Sequence, residues 1–414
     1  VEKVINKIIR LRTKLTWSLI GNLLYALSQW VVISLIAKFG SLEDLGLYTF
    51  SYAITAPIML FFSFQLKLLL ATDEMNEYQF TQYLGARIVH LSLGYIFIIL
   101  LSFLISDSLY MTAILLMVGV IKFFEGLSDI SMGALQKESK IDIIGKSFAI
   151  KAVLISIIFG TVYMSTNNLV MSVFSLCLVS AIRFFYYDLK KLGEIIDTTP
   201  RFDFSVLQIA KIAFPLGITS LIISLNTNIP RYFLEHYKSV EDVGIFSALY
   251  YIIVVGTMFV TPIVQLAAPK IAYAYHKAET NQFLKMNLLF IGAMTLFSFT
   301  IIMVVYVQGE FILEMIYGSA FSQYSKEFLL VTFALFFGFI GSILNISIVA
   351  AREVKYQTYI SLVVLCVSLV SSYIFVKPYG ITGAAYAIIF SRFIHIFLYI
   401  ILMKKIIVSR KNNI

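Results

Sequence analysis

Apolar runs about twenty residues long recur from one end of this chain to the other, and no other feature constrains its fold as tightly. A helix needs about 20 apolar residues to cross the hydrocarbon core. Inside that core every backbone polar group must be satisfied internally, which leaves only helices and closed barrels. The runs here are continuous, whereas barrel strands would alternate. Spans are predicted over 16–38, 46–68, 86–106, 110–135, 143–165, 168–188, 211–234, 243–267, 285–307, 327–350, 357–376 and 380–403. Twelve such spans make an all-α integral membrane protein. With 60% of its 414 residues hydrophobic, 13% charged and a mean hydropathy of +0.89, the chain lacks the polar surface a soluble protein of this length needs.

Basic residues set the orientation, because cytoplasmic segments carry an excess of Lys and Arg. With the N-terminus inside, 24 of the 32 basic residues fall on inner segments and only Lys38, Lys238, Lys326 and Lys377 on outer ones. Both termini are therefore expected in the cytoplasm, and the net charge of +9 is explained without nucleic acid. Segment 1–15 lacks the apolar stretch and cleavage site of a secretory signal. Its Val4, Ile5, Ile8, Leu11 and Leu15 share a helical face opposite Lys and Arg, which reads as an amphipathic interfacial helix. Cys177 and Cys366 fall in apolar spans of different halves and read as unreactive residues rather than a disulfide.

The octet SLEDLGLY at 41–48 returns as SVEDVGIF at 239–246. Locally it is a capping box, with Ser41 and Ser239 capping the second and eighth spans and acidic pairs in the first turn, where the helix dipole favours them. Six spans separate the copies, so both enter the membrane in the same direction. The halves then read as parallel six-helix bundles related by a pseudo-twofold axis along the membrane normal. QKESK at 136–140 against AREVK at 351–355, and Arg183–Phe184 against Arg392–Phe393, repeat the same order. The expected layout is a bundle over 16–188, a cytoplasmic linker over 189–210, a second bundle over 211–403 and a basic tail over 404–414. Paired bundles of this kind suit a carrier that holds its substrate between the halves.

Ionisable residues at membrane depth are costly, so each is a functional candidate. Lys122, Glu125 and Asp129 of the fourth span are spaced i, i+3 and i+7 on one helix face. They read either as a mutually neutralising stripe or as a lumen-facing site where a carboxylate takes up a coupling ion. Lys151 either lines a cavity or snorkels. Arg392, near the centre of the last span, reads as cavity-lining, and His395 beside it is a further ion-coupling candidate. Arg231 follows SLNTNIP at 224–230, where Asn226, Asn228 and Pro230 are expected to break the helix along a cavity. Arg87 and Arg183, near inner span ends, are expected to snorkel. Lys122, Lys151, Arg231 and Arg392 outnumber the deep acids, so the cavity favours an anion such as a phosphate or diphosphate headgroup. A cation exporter should show the opposite balance, with an aromatic cage.

Gly145-Lys146-Ser147 ends like a P-loop, but Lys140 stands where its first glycine belongs. His90, His236, His276 and His395 show no metal spacing. No metal or cofactor is expected, only a coupling ion, H+ or Na+.

The basic N-terminal helix, the twelve spans in two parallel halves and three segments resemble the polysaccharide-transporter branch of the MOP superfamily, the Wzx-type flippases. The segments are EDLGLYTFSYAITAPIMLFFSFQLKLLLATDE at 43–74, ALQKESKID at 134–142 and PYGITGAAYAIIFSR at 378–392. The resemblance implies a MATE-like fold and a non-enzymatic task. An undecaprenyl-diphosphate-linked oligosaccharide would pass from the inner to the outer leaflet of the bacterial cytoplasmic membrane, for capsule, O-antigen or a related polymer. Alternating access by a functional monomer is implied, with a polysaccharide polymerase and a chain-length regulator as partners. Two other readings stand beside it. A MATE-like multidrug or cation antiporter is opposed by the surplus of deep Lys and Arg. A membrane-embedded polymerase or glycosyltransferase would need catalytic groups on a sizeable outer loop, and segment 308–326 offers only Glu310, Glu314 and Lys326.

Overall fold

The computed structural model describes residues 2–412 except 74, 76, 107, 278, 279 and 354, with side chains for all of these but 2–15, 262, 276 and 409–412. Helix α1 runs unbroken over Glu2–Phe39, so segment 1–15 and the first span share one helix. The proposed apolar face of Val4 to Leu15 and the end of the tail at 404–414 lie outside the described side chains. Helices α2 (Leu42–Ser63), α3 (Leu66–Thr72), α4 (Phe80–Ile105) and α5 (Leu109–Lys137) follow. Next come α6 (Ile141–Leu154), α7 (Gly160–Thr166), α8 (Leu169–Arg183) and α9 (Lys190–Gly193). The remaining helices are α10 (Ser205–Tyr237), α11 (Val240–His276), α12 (Thr280–Tyr317), α13 (Ser325–Ala350) and α14 (Lys355–Asn412).

Helix α14 is two spans joined at a kink. Gly380 sits at φ 55, ψ −127, a backbone region that side chains disfavour, and Pro378 just before it cannot complete the helical ladder. Among the described residues, eleven helices are long and apolar enough to cross a membrane. Because α14 counts double, the twelve expected spans are present among the described residues. The protein is an all-α multi-pass membrane protein.

The duplicated octet does the local work expected of it. Ser41 Oγ accepts from Asp44 N at 3.0 Å and Ser239 Oγ from Asp242 N at 3.2 Å, opening α2 and α11. Each cap satisfies an otherwise orphaned N–H.

The chain forms two compact units, Val1–Ser224 and Leu225–Ile414. In the first, α1 packs along α6, where Gly21 and Gly145 let the backbones touch. A Cβ on Gly21 would lie 2.0 Å from the Gly145 carbonyl oxygen. Segment 189–210 belongs to this unit. Its Leu192 and Ile209 are buried with Phe64, Leu66, Leu70 and Tyr83, and Arg201 N donates to Thr81 O at 2.9 Å. The boundary between the units falls inside α10.

Three local expectations are corrected. The second span, read as continuous, is broken at Phe64 (φ 47) and Gln65 (φ 49), consecutive left-handed residues between α2 and α3. The predicted break at Asn226–Pro230 is absent, and α10 passes through it as helix. Side chains there still find partners: Asn226 Nδ2 donates to Ser361 O at 3.2 Å and Arg231 Nη1 to Thr227 O at 2.9 Å, while Asn226 Oδ1 is buried without a hydrogen-bond partner among the described residues. Neighbouring groups of this kind let a membrane helix keep a proline such as Pro230. Arg87 and Arg183 do not snorkel; both are buried and paired with carboxylates.

Candidate functional site

The deep charges gather in two clusters, one in each unit. In the first unit, Lys122 and Glu125 stand one turn apart on α5, and their i, i+3 spacing brings Lys122 Nζ to 2.8 Å from Glu125 Oε2. Lys151, on α6, reaches the other oxygen, Oε1, at 2.5 Å, and the Tyr25 hydroxyl of α1 donates to that same oxygen at 2.8 Å. Aromatic rings seat both ammonium groups, Lys122 over Tyr52 at 4.8 Å and Lys151 over Tyr25 at 4.7 Å. The α1–α6 glycine contact is what brings Tyr25 and Lys151 onto one carboxylate.

Asp129, one turn further along α5, is likewise shared by two cations. Lys67 Nζ lies 3.1 Å away and Arg87 Nη2 3.3 Å away. Arg87 Nη1 also donates to Ser63 O at 2.9 Å, the carbonyl at the end of α2 where the helix breaks. Gln65 Nε2 donates to Ser220 Oγ at 2.9 Å and Leu216 O at 3.3 Å. Two non-glycine residues in the left-handed region cost roughly 1–2 kcal/mol each, and these polar ties hold them there.

Arg183 lies 3.2 Å from Asp188 with both side chains 2% exposed. The two form an ion pair by distance, yet their orientation is not that of a hydrogen bond, and Nη1 of Arg183 has no hydrogen-bond partner. Asp188 sits in a wide π turn, Phe184–Leu189, and Ser147 Oγ donates to it at 2.5 Å. A second π turn, Ile155–Phe159, follows Lys151. Such turns are often found at functional sites. Lys122, Glu125, Asp129, Lys151 and Arg183 all line one cavity of about 440 Å³ within this unit, together with Gln65 and Lys67.

The second unit holds a different arrangement. Arg231 Nε donates to Ser247 Oγ at 2.8 Å and Nη1 to Asn228 Oδ1 at 3.1 Å, and the guanidinium lies 4.9 Å from the centre of the Tyr250 ring. Arg392 Nη2 donates to the hydroxyl of the same Tyr250 at 3.2 Å. Arg392 can cross α13 because Gly338 has no side chain; a Cβ there would stand 2.0 Å from its Nη1. Neither guanidinium has a carboxylate within ion-pair distance among the described residues. His395 faces elsewhere, its ring 4.3 Å from that of Tyr399, which donates to Asn345 Oδ1 at 3.1 Å.

Lys122 thus joins Lys151, and Arg231 joins Arg392, each pair within its own unit. The sequence reading missed Tyr25, Tyr250 and Gly338. One signal was available. Extended by four residues, the duplicated octet aligns Tyr52 with Tyr250, the two rings that carry Lys122 and Arg231. The register also shows why the units differ. Five residues past Arg183 is Asp188, whereas five past Arg392 is Phe397. Aligned on QKESK and AREVK, Glu125 and Asp129 face Ile340 and Leu344. The first unit brings its own counter-ions, and the second does not.

The fold is that of the MOP superfamily. An inward-facing multidrug resistance MATE family transporter superposes with a TM-score of 0.76 at 11% identity, covering 94% of this chain and 96% of its own. Lipid II flippase MurJ, in an inward closed conformation, gives 0.74 at 17% identity, covering 96% and 90%. The chain belongs to the polysaccharide biosynthesis protein family, whose model matches residues 11–275. It is similar to the capsular polysaccharide biosynthesis protein CapF of Staphylococcus aureus, 27% identical over 392 residues that cover 94% of this chain and 98% of that protein.

Proposed function

We propose that this protein is a flippase that carries an undecaprenyl-diphosphate-linked oligosaccharide repeat unit from the inner to the outer leaflet of a bacterial cytoplasmic membrane. The cargo serves assembly of capsule, O-antigen or a related polysaccharide. The observation that carries this reading is the arginine pair on Tyr250. Two guanidinium groups meet on one tyrosine with no carboxylate among the described residues to neutralise them, a costly arrangement at membrane depth unless an anion completes it. Guanidinium forks match phosphate oxygens in two-point geometry, and a diphosphate offers several. The family and the capsular relative supply the polysaccharide context. A cation exporter gains nothing from Arg231 and Arg392.

The working cycle in this reading is alternating access by a monomer with cytoplasmic termini, handing its cargo to a polymerase and a chain-length regulator. Glu125, Asp129 and His395 are the groups through which a coupling ion, H+ or Na+, would act. The test is extraction of undecaprenyl-linked material from spheroplasts of a deletion strain, with its mass and its accessibility to an outer-face glycan-modifying enzyme recorded. A single repeat unit accumulating on the inner leaflet is the expected result. Normal levels of outward-facing material would overturn the reading.

A further inference from the structure

We propose that Glu125 is a built-in counter-anion, which holds Lys122 and Lys151 until an anionic group of the cargo displaces it. The inference rests on the flippase reading and adds how its first cationic cluster is kept loadable. Three donors converge on this carboxylate, Lys122 at 2.8 Å, Lys151 at 2.5 Å and Tyr25 at 2.8 Å. This is the donor set that an oxygen of a phosphate or carboxylate would seek. The donors do not depend on Glu125 for their place, because Tyr52 and Tyr25 seat the two ammonium groups from beneath. A group that left the carboxylate's position would therefore leave a preformed anion site behind.

Two further observations place an incoming anion here. Glu125 is 19% exposed and Lys122 23%, so the carboxylate and one of its lysines open onto the cavity of about 440 Å³, while Lys151 is only 1% exposed. Arg183 lines that cavity too, adding positive charge behind it, with its buried Nη1 unpartnered among the described residues. The physical purpose is release. A buried Lys151 stripped of all counter-charge would be strongly destabilised, so a site made of lysines alone would hold an anion too tightly to let it go. With Glu125 present, loading and unloading are exchanges of one anion for another, and the cluster is compensated in both states. The second unit has Ile340 at the aligned position and lacks this device.

The experiment is calorimetric titration of the purified full-length protein in nanodiscs with farnesyl diphosphate, using farnesol as the uncharged control. Glu125→Gln removes the competing charge and should tighten diphosphate binding about tenfold, the effect of one charge-assisted hydrogen bond. Glu125→Asp keeps the charge but draws the carboxylate back from its three donors, and should tighten binding about threefold. Equal or weaker binding in Glu125→Gln overturns the proposal, and Glu125→Asp decides in the same way if that variant does not fold. If Arg392→Ala weakens binding while both first-unit variants bind as the parent does, the flippase reading stands and the displaceable counter-anion falls. No binding by the parent or any variant removes both.

Discussion

At the scale of the residue, what distinguishes the clusters is which cations have a carboxylate. The sequence exposes the cations directly, because Lys122, Lys151, Arg231 and Arg392 interrupt apolar runs. Their partners were hidden, since Tyr25 and Tyr250 stand on other spans and tyrosine is common in this chain. Gly338 was hidden for another reason: a glycine in a membrane helix has many uses, and only the Arg392 side chain lying against it shows which applies. That contact gives a prediction. Gly338→Ala places a methyl where Arg392 Nη1 now lies and should lift the guanidinium off Tyr250, lowering transport about tenfold, as for one lost charge-assisted bond. Protein levels in the membrane should be unchanged. Tyr250→Phe keeps the ring beneath Arg231, deletes only the hydroxyl that Arg392 reaches, and should cost less. Transport of the lipid-linked repeat unit in everted vesicles measures both, and parental rates in Gly338→Ala would show that the Arg392 seat is unimportant.

At the scale of the element, helix starts were legible and the helix break was not. Ser41 and Ser239 announce α2 and α11 because a cap is local chemistry, a side-chain oxygen three residues before the N–H it serves. Alanine at either position should cost about 1 kcal/mol, seen as a modest fall in the thermal unfolding midpoint. The break at Phe64–Gln65 carries neither glycine nor proline, so nothing in the sequence marks it. It exists because Arg87 of α4 ties Ser63 O to Asp129 and Gln65 ties to α10. The segment 224–230 shows the converse, with strong breaker residues and an intact helix. Arg87→Ala should therefore destabilise the first unit more than an exposed charge deletion does, by about 2 kcal/mol, because a buried guanidinium and its charge-assisted bond to Ser63 O are lost, although Asp129 at the other end is 41% exposed. Lys67→Ala, whose side chain is 35% exposed, should cost less than about 1 kcal/mol. Unfolding followed by thiol reactivity of buried Cys177 in detergent measures the difference, and equal effects would mean that Arg87 does not hold the break.

At the scale of the whole molecule, span count and the repeated helix cap were readable because hydropathy and repeats are properties of long windows. The asymmetry between the units was readable only after the fold supplied an alignment register. Before that, Asp188 and Phe397 were two unrelated residues. Orientation remains the property on which every functional statement leans, since a flippase must load from the side that makes its cargo. In the proposed orientation Glu138, exposed at the end of α5, is expected on the cytoplasmic side, and exposed Gln323, in the turn Ser319–Tyr324, on the outside. In a background with Cys177 and Cys366 replaced by serine or alanine, a membrane-impermeant maleimide added to intact cells should label Gln323→Cys and spare Glu138→Cys. Permeabilised cells should label both. Labelling of Glu138→Cys alone in intact cells would invert the molecule. The arginine pair and the Glu125 cluster would then have to load from the face opposite to the cytoplasm, and a carrier of cytoplasmically made lipid-linked sugars would be ruled out whatever the chemistry of its sites.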